Sequence, residues 1–380
     1  MRKSIDLAIV GLGAMGSSAA YHLSKRDKSV VAFDLSTPPH LLGSSHGQSR
    51  IIREAYFEHP LYVPIVQKSY ERWSDLQAAY GERLILTTGG LLLGPNNGTL
   101  IAGTRLSADR HKLDYDILSA KEIRKHYPVI QPDDSTVGVW EPRAGILLPE
   151  KCLEAHLKLA QQQGADLHFE EPVTEWKPDG DGVRLKTTQG EYRAQQLLLA
   201  PGPWLSAFIP ELALPITVER QVLYWFEPID RREDFELDRL PIFAWEYAPG
   251  ALFYGFPNLG DGVKVALHHQ GEITDIESIN REVSPVEIEA MRLLVNAMIP
   301  NLAGPLIKTE VCMYTNTPDG HFIIDFHPDV PQVLISSACS GHGFKFAAVL
   351  GEILADLVVD KKSEFDLSPF RISRLLNQSK

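Results

Sequence analysis

The N-terminal residues 5–34 constrain the fold more than any other stretch of this chain. They hold two apolar runs, three glycines in the spacing G-x-G-x-x-G, a run of small residues and an acid: Ile5–Val10, Gly11, Gly13, Gly16, Ala14–Ser24, Val30–Phe33 and Asp34. Continuous apolar runs are typical of parallel strands that are covered on both faces. The order of strand, glycines, helix, strand and acid therefore predicts a βαβ unit.

Each of these residues has a physical role in such a unit. Gly11 permits the tight turn out of the strand, Gly13 lets the backbone approach a pyrophosphate at the helix N-terminus, and Gly16 lets helix and strand pack closely. Asp34 is placed to accept hydrogen bonds from the ribose hydroxyls of an adenosine. A lone glycine motif is weak evidence, but its place between strand and helix favours a Rossmann-type dinucleotide site over a glycine-rich turn without a ligand.

Length and charge limit the class of protein. A chain of 380 residues is long for one core and predicts about two domains. The net charge of −12 argues against a nucleic-acid partner, which calls for a basic face to neutralise phosphates. The first strand begins within about five residues, which leaves no room for a signal peptide, and no apolar run approaches the roughly 20 residues that span a bilayer.

Cysteine usage points to a reducing compartment. The three cysteines, Cys152, Cys312 and Cys339, are too few and too scattered for a disulfide framework or a zinc site, so no metal is predicted. We therefore expect a cytoplasmic protein with no membrane partner, in which each cysteine serves either packing or chemistry.

The pattern of elements predicts an α/β (α+β) protein with two domains. Residues 1–85, 145–213 and 320–380 are expected to form a discontinuous Rossmann-like nucleotide-binding domain. Residues 86–144 and 214–319 are expected to form a substrate domain on a mainly antiparallel sheet, because glycine and proline separate longer alternating segments there. We also expect single strands over residues 84–93 and 165–177 and a helix over 344–359.

Three stretches carry residues suited to chemistry. Residues 341–345 (GHGFK) lead from a buried strand into the last helix, whose N-terminus can direct backbone N–H groups at a reduced flavin or a substrate carboxylate. Lys345 lies in the first turn of this predicted helix, where the helix dipole disfavours a cation, and this indicates that the lysine has a functional role. Cys312 lies in a strand, where spacing alone favours a buried apolar cysteine. Lys264 and His268 are four positions apart on a strand and therefore point to the same face. They either belong to a functional site that supplies anionic partners or water, or face solvent at the edge of a sheet.

With these residues in view, the chain resembles the monomeric sarcosine oxidase family, which includes N-methyltryptophan oxidase. The resemblance runs from GLGAMG to the C-terminus, and the tail DKKSEFDLSPFRISR is especially similar to N-methyltryptophan oxidase. Five stretches carry it: PPHLLGSSHGQSRIIREAY (38–56), YGFP (254–257), KVALH (264–268), CMYTNTPDGHFIID (312–325) and SGHGFKFAAVLGEI (340–353).

The resemblance implies that the nucleotide-binding domain holds FAD, attached by a thioether from Cys312 to the flavin 8α-methyl group. It implies that Arg53 and Lys345 clamp the substrate carboxylate, that Lys264 promotes reaction with oxygen, and that His268 is the active-site histidine. The other site residues that it implies are Tyr254 and Tyr314 in the pocket, His46 and Arg50 near the flavin ring, and Val173, Gly341, Gly343 and Phe344 in cofactor binding. Ser45, Gln48 and Ser49 replace the histidine and Asp-Thr that are usual in the first motif.

The implied activity is oxidative demethylation of a secondary amino acid such as sarcosine or N-methyl-L-tryptophan. The neutral amine would give a hydride equivalent to the flavin, the imine would hydrolyse to formaldehyde and the primary amino acid, and molecular oxygen would become hydrogen peroxide. Lys264 would stabilise negative charge on oxygen, while Arg53 offers a bidentate fork and Lys345 a point charge to the carboxylate. The family is mostly monomeric, so we expect a monomer.

Several alternatives stay open. The substrate of the same chemistry is alternatively a cyclic imino acid, such as pipecolate or proline, or a glycated amino acid. Trp225 and Trp245 are candidates for an indole pocket, although tryptophans on strands more often belong to the core. An NAD-dependent dehydrogenase fits the first 34 residues but leaves Cys312 and Lys345 without a purpose. A non-enzymatic nucleotide-binding sensor is disfavoured because the cationic residues of the site are retained.

Overall fold

The computed structural model describes residues 5–376, which form both strands and helices. The strands are β1 (Ile5–Val10), β2 (Val30–Phe33), β3 (Arg50–Ile52), β4 (Ile85–Thr87), β5 (Gly90–Pro95), β6 (Asp116–Ser119), β7 (Thr136–Glu141), β8 (Gly145–Leu147), β9 (Asp166–His168), β10 (Val173–Asp179), β11 (Gly182–Thr187), β12 (Glu191–Leu199), β13 (Thr217–Phe226), β14 (Ile242–Ala248), β15 (Ala251–Gly255), β16 (Val263–His268), β17 (Ile273–Thr274), β18 (Leu306–Asn316), β19 (Ile323–Phe326) and β20 (Val333–Ser337). The helices are α1 (Ala14–Ser24), α2 (Tyr62–Tyr80), α3 (Thr99–His111), α4 (Ala120–His126), α5 (Pro149–Gln162), α6 (Leu205–Phe208), α7 (Pro285–Met298), α8 (Ala347–Asp360) and α9 (Ser373–Leu376).

The first sheet is built around the N-terminal strand. β1 lies between β12 and β2, and β20 and β9 extend this parallel core on either side. β10 and β11 add an antiparallel hairpin to β12, and β19 pairs with β20. Leu7 and Ile9 point to a core shared with α1, α5 and α8, whereas Ala8 and Val10 point to a core on the other face. Alternation along β1 thus explains why its run is continuously apolar.

The second sheet is mainly antiparallel, in the order β17-β13-β16-β15-β14-β5-β7-β6 with β18 also paired to β13. Only β14 and β5 run parallel among its described pairs. Helix α7 covers one face, where Met291 and Val295 are buried against Phe226 and its neighbours. A third, small sheet, β3-β8-β4, carries the chain between the two large ones. The predicted fold class is therefore confirmed, while the domain boundaries stay a prediction.

The stretch 84–93 differs from the single strand that its apolar pattern predicts. Strand β4 belongs to the small third sheet and β5 to the second sheet. Gly89 separates them with a φ of +69°, in the left-handed region that glycine adopts without strain. A Cβ at this position would overlap the Trp140 ring, so the break depends on glycine.

Two further elements are interrupted. Residues 165–177 form β9 and then β10, because Glu170 takes a φ of +55° and Pro172 follows it. The last helix begins with a 3-10 turn at Phe344–Phe346, and the α-helical part, α8, starts at Ala347. Lys345 therefore lies in a tight turn before the helix. No helix within residues 5–376 combines the length and apolar character needed to cross a membrane.

Candidate functional site

A cavity of about 400 Å³ runs from the carboxyl ends of the first sheet to the face of the second sheet. Residues directly after β1, β2, β12 and β20 line one end of it, as expected for a nucleotide site in an open α/β sheet. Side chains of β14, β15, β16 and β18 line the other end. Its volume lies in the range of small-molecule and cofactor sites.

The glycines form a close-fitting turn at the nucleotide end. Gly11 has a φ of +89°, and a Cβ on it would collide with the Ala200 carbonyl. A Cβ on Gly16 would collide with the Gly11 carbonyl, which is the close packing of helix and strand that the sequence predicts. Gly13 begins α1 on the cavity wall, and the nearest atom to a Cβ there would be Ser45 Oγ at 3.5 Å. The first amide of the helix, Ala14 N, donates to Ser45 Oγ at 3.2 Å, so the helix N-terminus and this hydroxyl lie together at the cavity wall.

Asp34 lies at the same end and is fixed by local hydrogen bonds. Leu12 N donates to Asp34 Oδ2 at 2.7 Å, and Ser36 N donates to Oδ1 at 3.1 Å. His40 Nε2 also lies 3.1 Å from Oδ1. Val173 lines the cavity nearby. This cradle of open glycines, an oriented acid and a helix N-terminus fits the adenosine and pyrophosphate parts of FAD.

The GHGF turn after β20 closes the cavity at the other end. A Cβ on Gly343 would collide with the Ala338 carbonyl. Gly341 has a φ of +74°, and a Cβ on it would lie 2.8 Å from His269 Nε2 and 2.9 Å from the Tyr314 ring. Both glycines and Phe344 line the cavity, so the backbone itself is accessible to a ligand there.

Cys312 faces this cavity from β18. Its side chain is buried, and Arg50 Nη2 lies 3.6 Å from Sγ. Arg50 also donates to Ser49 O at 2.8 Å and to Ser44 O at 2.9 Å, which fixes the guanidinium beside the thiol. The Arg50 guanidinium lies 6.0 Å from the Phe344 ring centre. The Cys312 sulfur therefore lies beside a guanidinium group that is fixed in place.

Lys264 is buried behind the cavity wall and is tied to the loop before β3. Its Nζ donates to Gly47 O at 2.6 Å and to Ser49 O at 2.9 Å, and lies 3.2 Å from Ser49 Oγ. Glu150 holds this loop, because Gly47 N and Gln48 N donate to its Oε1 at 2.7 and 3.0 Å. Burial, and then the nearby arginine, lower the pKa of Lys264 well below its usual value. Its protonation therefore responds to negative charge placed beside it.

His46 lies outside the cavity lining within the described residues. Its ring is buried, its Nδ1 lies 3.2 Å from Glu310 Oε2, and its Nε2 has no hydrogen-bond partner there. The resemblance implies a place for His46 near the flavin ring, and this role stays a prediction.

Arg53 and Lys345 form a pair of buried cations at one side of the cavity. Arg53 donates to Ala55 O at 2.6 Å and to Glu58 Oε2 at 2.7 Å. Lys345 Nζ donates to His342 O at 2.8 Å and lies 3.2 Å from the Tyr56 hydroxyl. These two side chains come from distant parts of the sequence and lie close together in space. Together they can donate charge-assisted hydrogen bonds to one carboxylate.

The charges of this cluster depend on one another. Burial, followed by the positive charge of Arg53, lowers the pKa of Lys345 to about 7. Burial would raise the pKa of Glu58, but Arg53 and the other positive groups of the cluster together outweigh it, and the pKa falls to about 2. Burial lowers the pKa of His342 to about 3, against the opposing effect of Glu58. The clamp thus holds one permanent cation, one titratable cation and one fixed anion.

Glu141 supports the clamp from the end of β7. Both of its carboxylate oxygens accept backbone hydrogen bonds, from Glu54 N at 2.5 Å and from Ala55 N at 3.1 Å. Since Arg53 donates to the Ala55 carbonyl, one carboxylate fixes the backbone on which the arginine rests. Glu141 is buried, and burial raises its pKa despite these hydrogen bonds.

His268, Tyr254 and Tyr314 face the cavity from the second sheet. His268 Nδ1 lies 3.3 Å from the Tyr314 hydroxyl. Burial, and then His269, lower the pKa of His268 well below its usual value, so its imidazole is neutral. Burial raises the pKa of both tyrosines, which keeps the phenols protonated as hydrogen-bond donors.

The structure brings most of the predicted site residues to one cavity and adds others whose roles were not predicted from the sequence. Trp225 and Trp245 are buried core side chains outside its lining. The sequence analysis missed Glu58, Tyr56, Glu141 and Glu150. Glu58 follows Arg53 by five positions, but its ion pair depends on how the chain turns after β3.

Comparisons with known proteins agree with this site. A family model described as FAD dependent oxidoreductase matches residues 6–357. Monomeric sarcosine oxidase from Streptomyces avermitilis is 42% identical over 379 residues, with 99% of each chain covered. N-methyl-L-tryptophan oxidase from Escherichia coli is 37% identical over 375 residues, which is 97% of this chain and 99% of that protein. The solved structure of L-proline dehydrogenase from P. horikoshii has a TM-score of 0.86 at 18% identity, covering 100% of this chain and 99% of that one, and so shows the fold alone.

The chain belongs to the FAD-dependent oxidoreductase family. Its relatives place it with the monomeric sarcosine oxidases and N-methyl-L-tryptophan oxidases, so the resemblance predicted from the sequence is confirmed. The predicted enzyme class, a flavin-dependent oxidoreductase acting on the CH–NH group of its donors, is confirmed with it.

Proposed function

We propose that this enzyme oxidatively demethylates N-methyl amino acids such as sarcosine or N-methyl-L-tryptophan, giving the primary amino acid, formaldehyde and hydrogen peroxide. The observation that carries the proposal is the buried pair Arg53 and Lys345 in the same cavity as the glycine cradle for FAD. Glu58 balances one of these two buried positive charges, and an amino-acid carboxylate would balance the other.

When bound, FAD accepts the hydride equivalent from the substrate and passes its electrons to oxygen. The chain's own residues bind and orient the reactants. Arg53 keeps its bond to Glu58 and binds the substrate carboxylate through its remaining N–H groups, and Lys345 adds a second donor to that carboxylate. The neutral His268 imidazole and the Tyr314 phenol remain available to hold the amine by hydrogen bonds. Lys264 supplies positive charge where oxygen becomes anionic.

The substrate can be tested by measuring hydrogen peroxide with a panel of amines. We expect peroxide from sarcosine and from N-methylated amino acids that keep a free carboxylate, and at least about tenfold less from the matching amines without one, since the charge-assisted clamp would be lost. Peroxide from pipecolate, proline or a glycated amino acid alone would assign the enzyme to one of those substrates.

We further propose that Cys312 holds the flavin covalently through a thioether. Its buried Sγ lines the cavity beside Arg50, which supports a contact between this sulfur and the cofactor. Acid denaturation of the purified enzyme should leave the yellow cofactor in the protein pellet, and Cys312→Ala should release it into the supernatant. Cys152→Ala is the matched control, because Cys152 is buried in α5 outside the cavity lining. A colourless wild-type pellet would refute the tether.

The remaining expectations extend this proposal. The division of strands between the two large sheets supports an FAD-binding domain over residues 1–85, 145–213 and 320–380 and a substrate domain over 86–144 and 214–319. Residues 1–4 and 377–380 of that division lie outside the described residues. We also propose a monomer in the cytoplasm, which the family resemblance and the cysteine usage support.

A further inference from the structure

A second cavity, of about 330 Å³, adjoins the first one. Five residues line both cavities and form the neck between them: Phe57, Glu58, Leu252, His268 and His342. The Phe57 and His268 rings lie edge to face across it, 6.5 Å apart. The neck therefore lies directly beside the carboxylate clamp.

The second cavity has an exposed rim and a buried floor. His59 and Thr99 are exposed, whereas Tyr62, Ser340 and His342 are buried. The His59 ring is held in place, because Leu61 N donates to its Nδ1 at 3.1 Å and the His321 ring packs 5.9 Å away. This cavity thus connects the surface to the neck, away from the glycine cradle.

The acids that line the second cavity already have partners within the protein. Glu58 pairs with Arg53, Asp319 pairs with Arg374, and Glu246 accepts backbone hydrogen bonds. The excess charge beside the neck is therefore the positive charge of the clamp, which attracts the carboxylate of an entering amino acid. The neck offers apolar contact as well, through Phe57 and Leu252.

Stereochemistry then decides where the substrate side chain lies. The carboxylate is held at Arg53 and Lys345, and in the proposed reaction the carbon–nitrogen bond that reacts faces the flavin at the Cys312 end of the first cavity. The third substituent of the α-carbon must point in another direction, and the apolar neck opens beside the clamp.

We propose that the second cavity is the entrance for the substrate and the subsite for its side chain, so that the preferred substrates are N-methyl amino acids with bulky apolar side chains. This inference rests on the proposed function. FAD would fill the glycine cradle, which leaves the neck as the approach to the clamp. The side chain of a bound substrate stays in the neck and in the second cavity, in contact with Phe57 and Leu252.

The test narrows the rim of the second cavity. His59→Trp and Thr99→Trp enlarge side chains on two different segments of the rim, so one variant remains informative if the other fails to fold. His126→Trp is the matched control, because His126 is exposed at the end of α4 and outside both cavities. The flavin-loaded enzymes are compared with sarcosine and N-methyl-L-phenylalanine in the peroxide assay. Calorimetry with acetate and 3-phenylpropionate, which contain no amine to oxidise, reports binding separately.

Each rim variant should reduce kcat/KM for N-methyl-L-phenylalanine by at least about tenfold more than for sarcosine, as expected when a large apolar group loses its pocket. Binding of 3-phenylpropionate should weaken relative to acetate by a similar factor, and His126→Trp should change neither ratio. Equal losses for large and small ligands, or unchanged ratios in both rim variants, would overturn the inference. A wild-type enzyme that oxidises neither amine would contradict the proposed function, while the calorimetric ratio would still test the subsite.

Discussion

At the scale of single residues, Lys345 sets the pH range over which the clamp is fully charged. It is buried next to the permanent cation Arg53, and both effects lower its pKa to about 7. Below that pH the ammonium form is held by the carboxylate of Glu58 nearby; above it, the side chain loses its charge. Without a bound ligand the clamp therefore loses one of its two cations as the pH rises through neutrality, and a carboxylate that binds above this pH must bind together with a proton on Lys345.

Binding of 3-phenylpropionate should accordingly weaken by about tenfold or more between pH 6 and pH 9, the cost of one charge-assisted hydrogen bond. This ligand stays anionic over that range and contains no amine, so the change reports the protein. Lys345→Met should bind it weakly at every pH, without this dependence. Calorimetry of the flavin-loaded enzymes measures both curves, and a flat wild-type curve would contradict the assignment.

The sequence identifies the cations of this site but not the anions that control them. Arg53 and Lys345 were predicted because they match motifs of a known family. Glu58 and Glu141 lie in no such motif, and their roles arise only when the chain after β3 folds back against β7. Ion pairs between residues on different turns of the chain depend on tertiary geometry, which local patterns do not contain.

At the scale of elements, the end of β7 positions the segment that follows β3. The Glu141 carboxylate accepts two backbone hydrogen bonds from residues 54 and 55, and the second of these residues provides the carbonyl that orients Arg53. A strand of the second sheet thus fixes a residue that follows the small third sheet. The clamp keeps its geometry through this contact.

Glu141→Gln should raise KM for a carboxylate-bearing substrate by about tenfold, because the amide can accept only one of the two backbone hydrogen bonds. We expect kcat at saturating substrate to change much less, since Glu141 does not line the cavity. Glu175→Gln, on the exposed face of β10, is the control. Steady-state kinetics on both variants measure kcat and KM separately. A tenfold fall of kcat in Glu141→Gln with KM unchanged would refute a positioning role.

The sequence predicts whether a segment is a helix or a strand where the pattern of apolar residues is long. It does not predict the residues at which these elements begin and end. The apolar run of β1 and the amphipathic α2 follow directly from residue spacing. The break at Gly89 does not, because it depends on the Trp140 ring that occupies the space of a side chain. A glycine within an apolar run is compatible with a continuous strand. Here the position of the Trp140 ring next to Gly89 in space, which the local sequence does not contain, goes with the break in the strand.

At the scale of the whole molecule, two buried histidines lie in the core between α1, α5 and α8. Burial lowers the pKa of His22 to about 4 and, together with His22, lowers that of His156 well below its usual value. Neither nitrogen of His156 has a hydrogen-bond partner within the described residues. The folded state therefore takes up these protons less readily than the unfolded state.

Stability should consequently fall as the pH drops from 6.5 towards 4. The stability contributed by a neutral buried His22 is complete above pH 6.5 and is lost progressively through this window, by about 2 kcal/mol at pH 5. Urea unfolding of the wild type and of His22→Gln at pH 7.5 and pH 5 measures the difference. The variant should lose less stability than the wild type, whereas the exposed control His126→Gln should behave as the wild type does. Identical losses in all three proteins would contradict this account.

The path of the cofactor has a mechanical consequence. The glycine turn after β1 belongs to one large sheet, whereas Cys312 lies on β18, which is hydrogen-bonded along β13 in the other. An FAD molecule bound at both places would link the two sheets, through a covalent bond at Cys312 and through non-covalent contacts at the glycine turn. Separating the two large sheets would then require the adenosine to leave its binding site. The stability of the contact between the sheets would therefore depend on bound FAD.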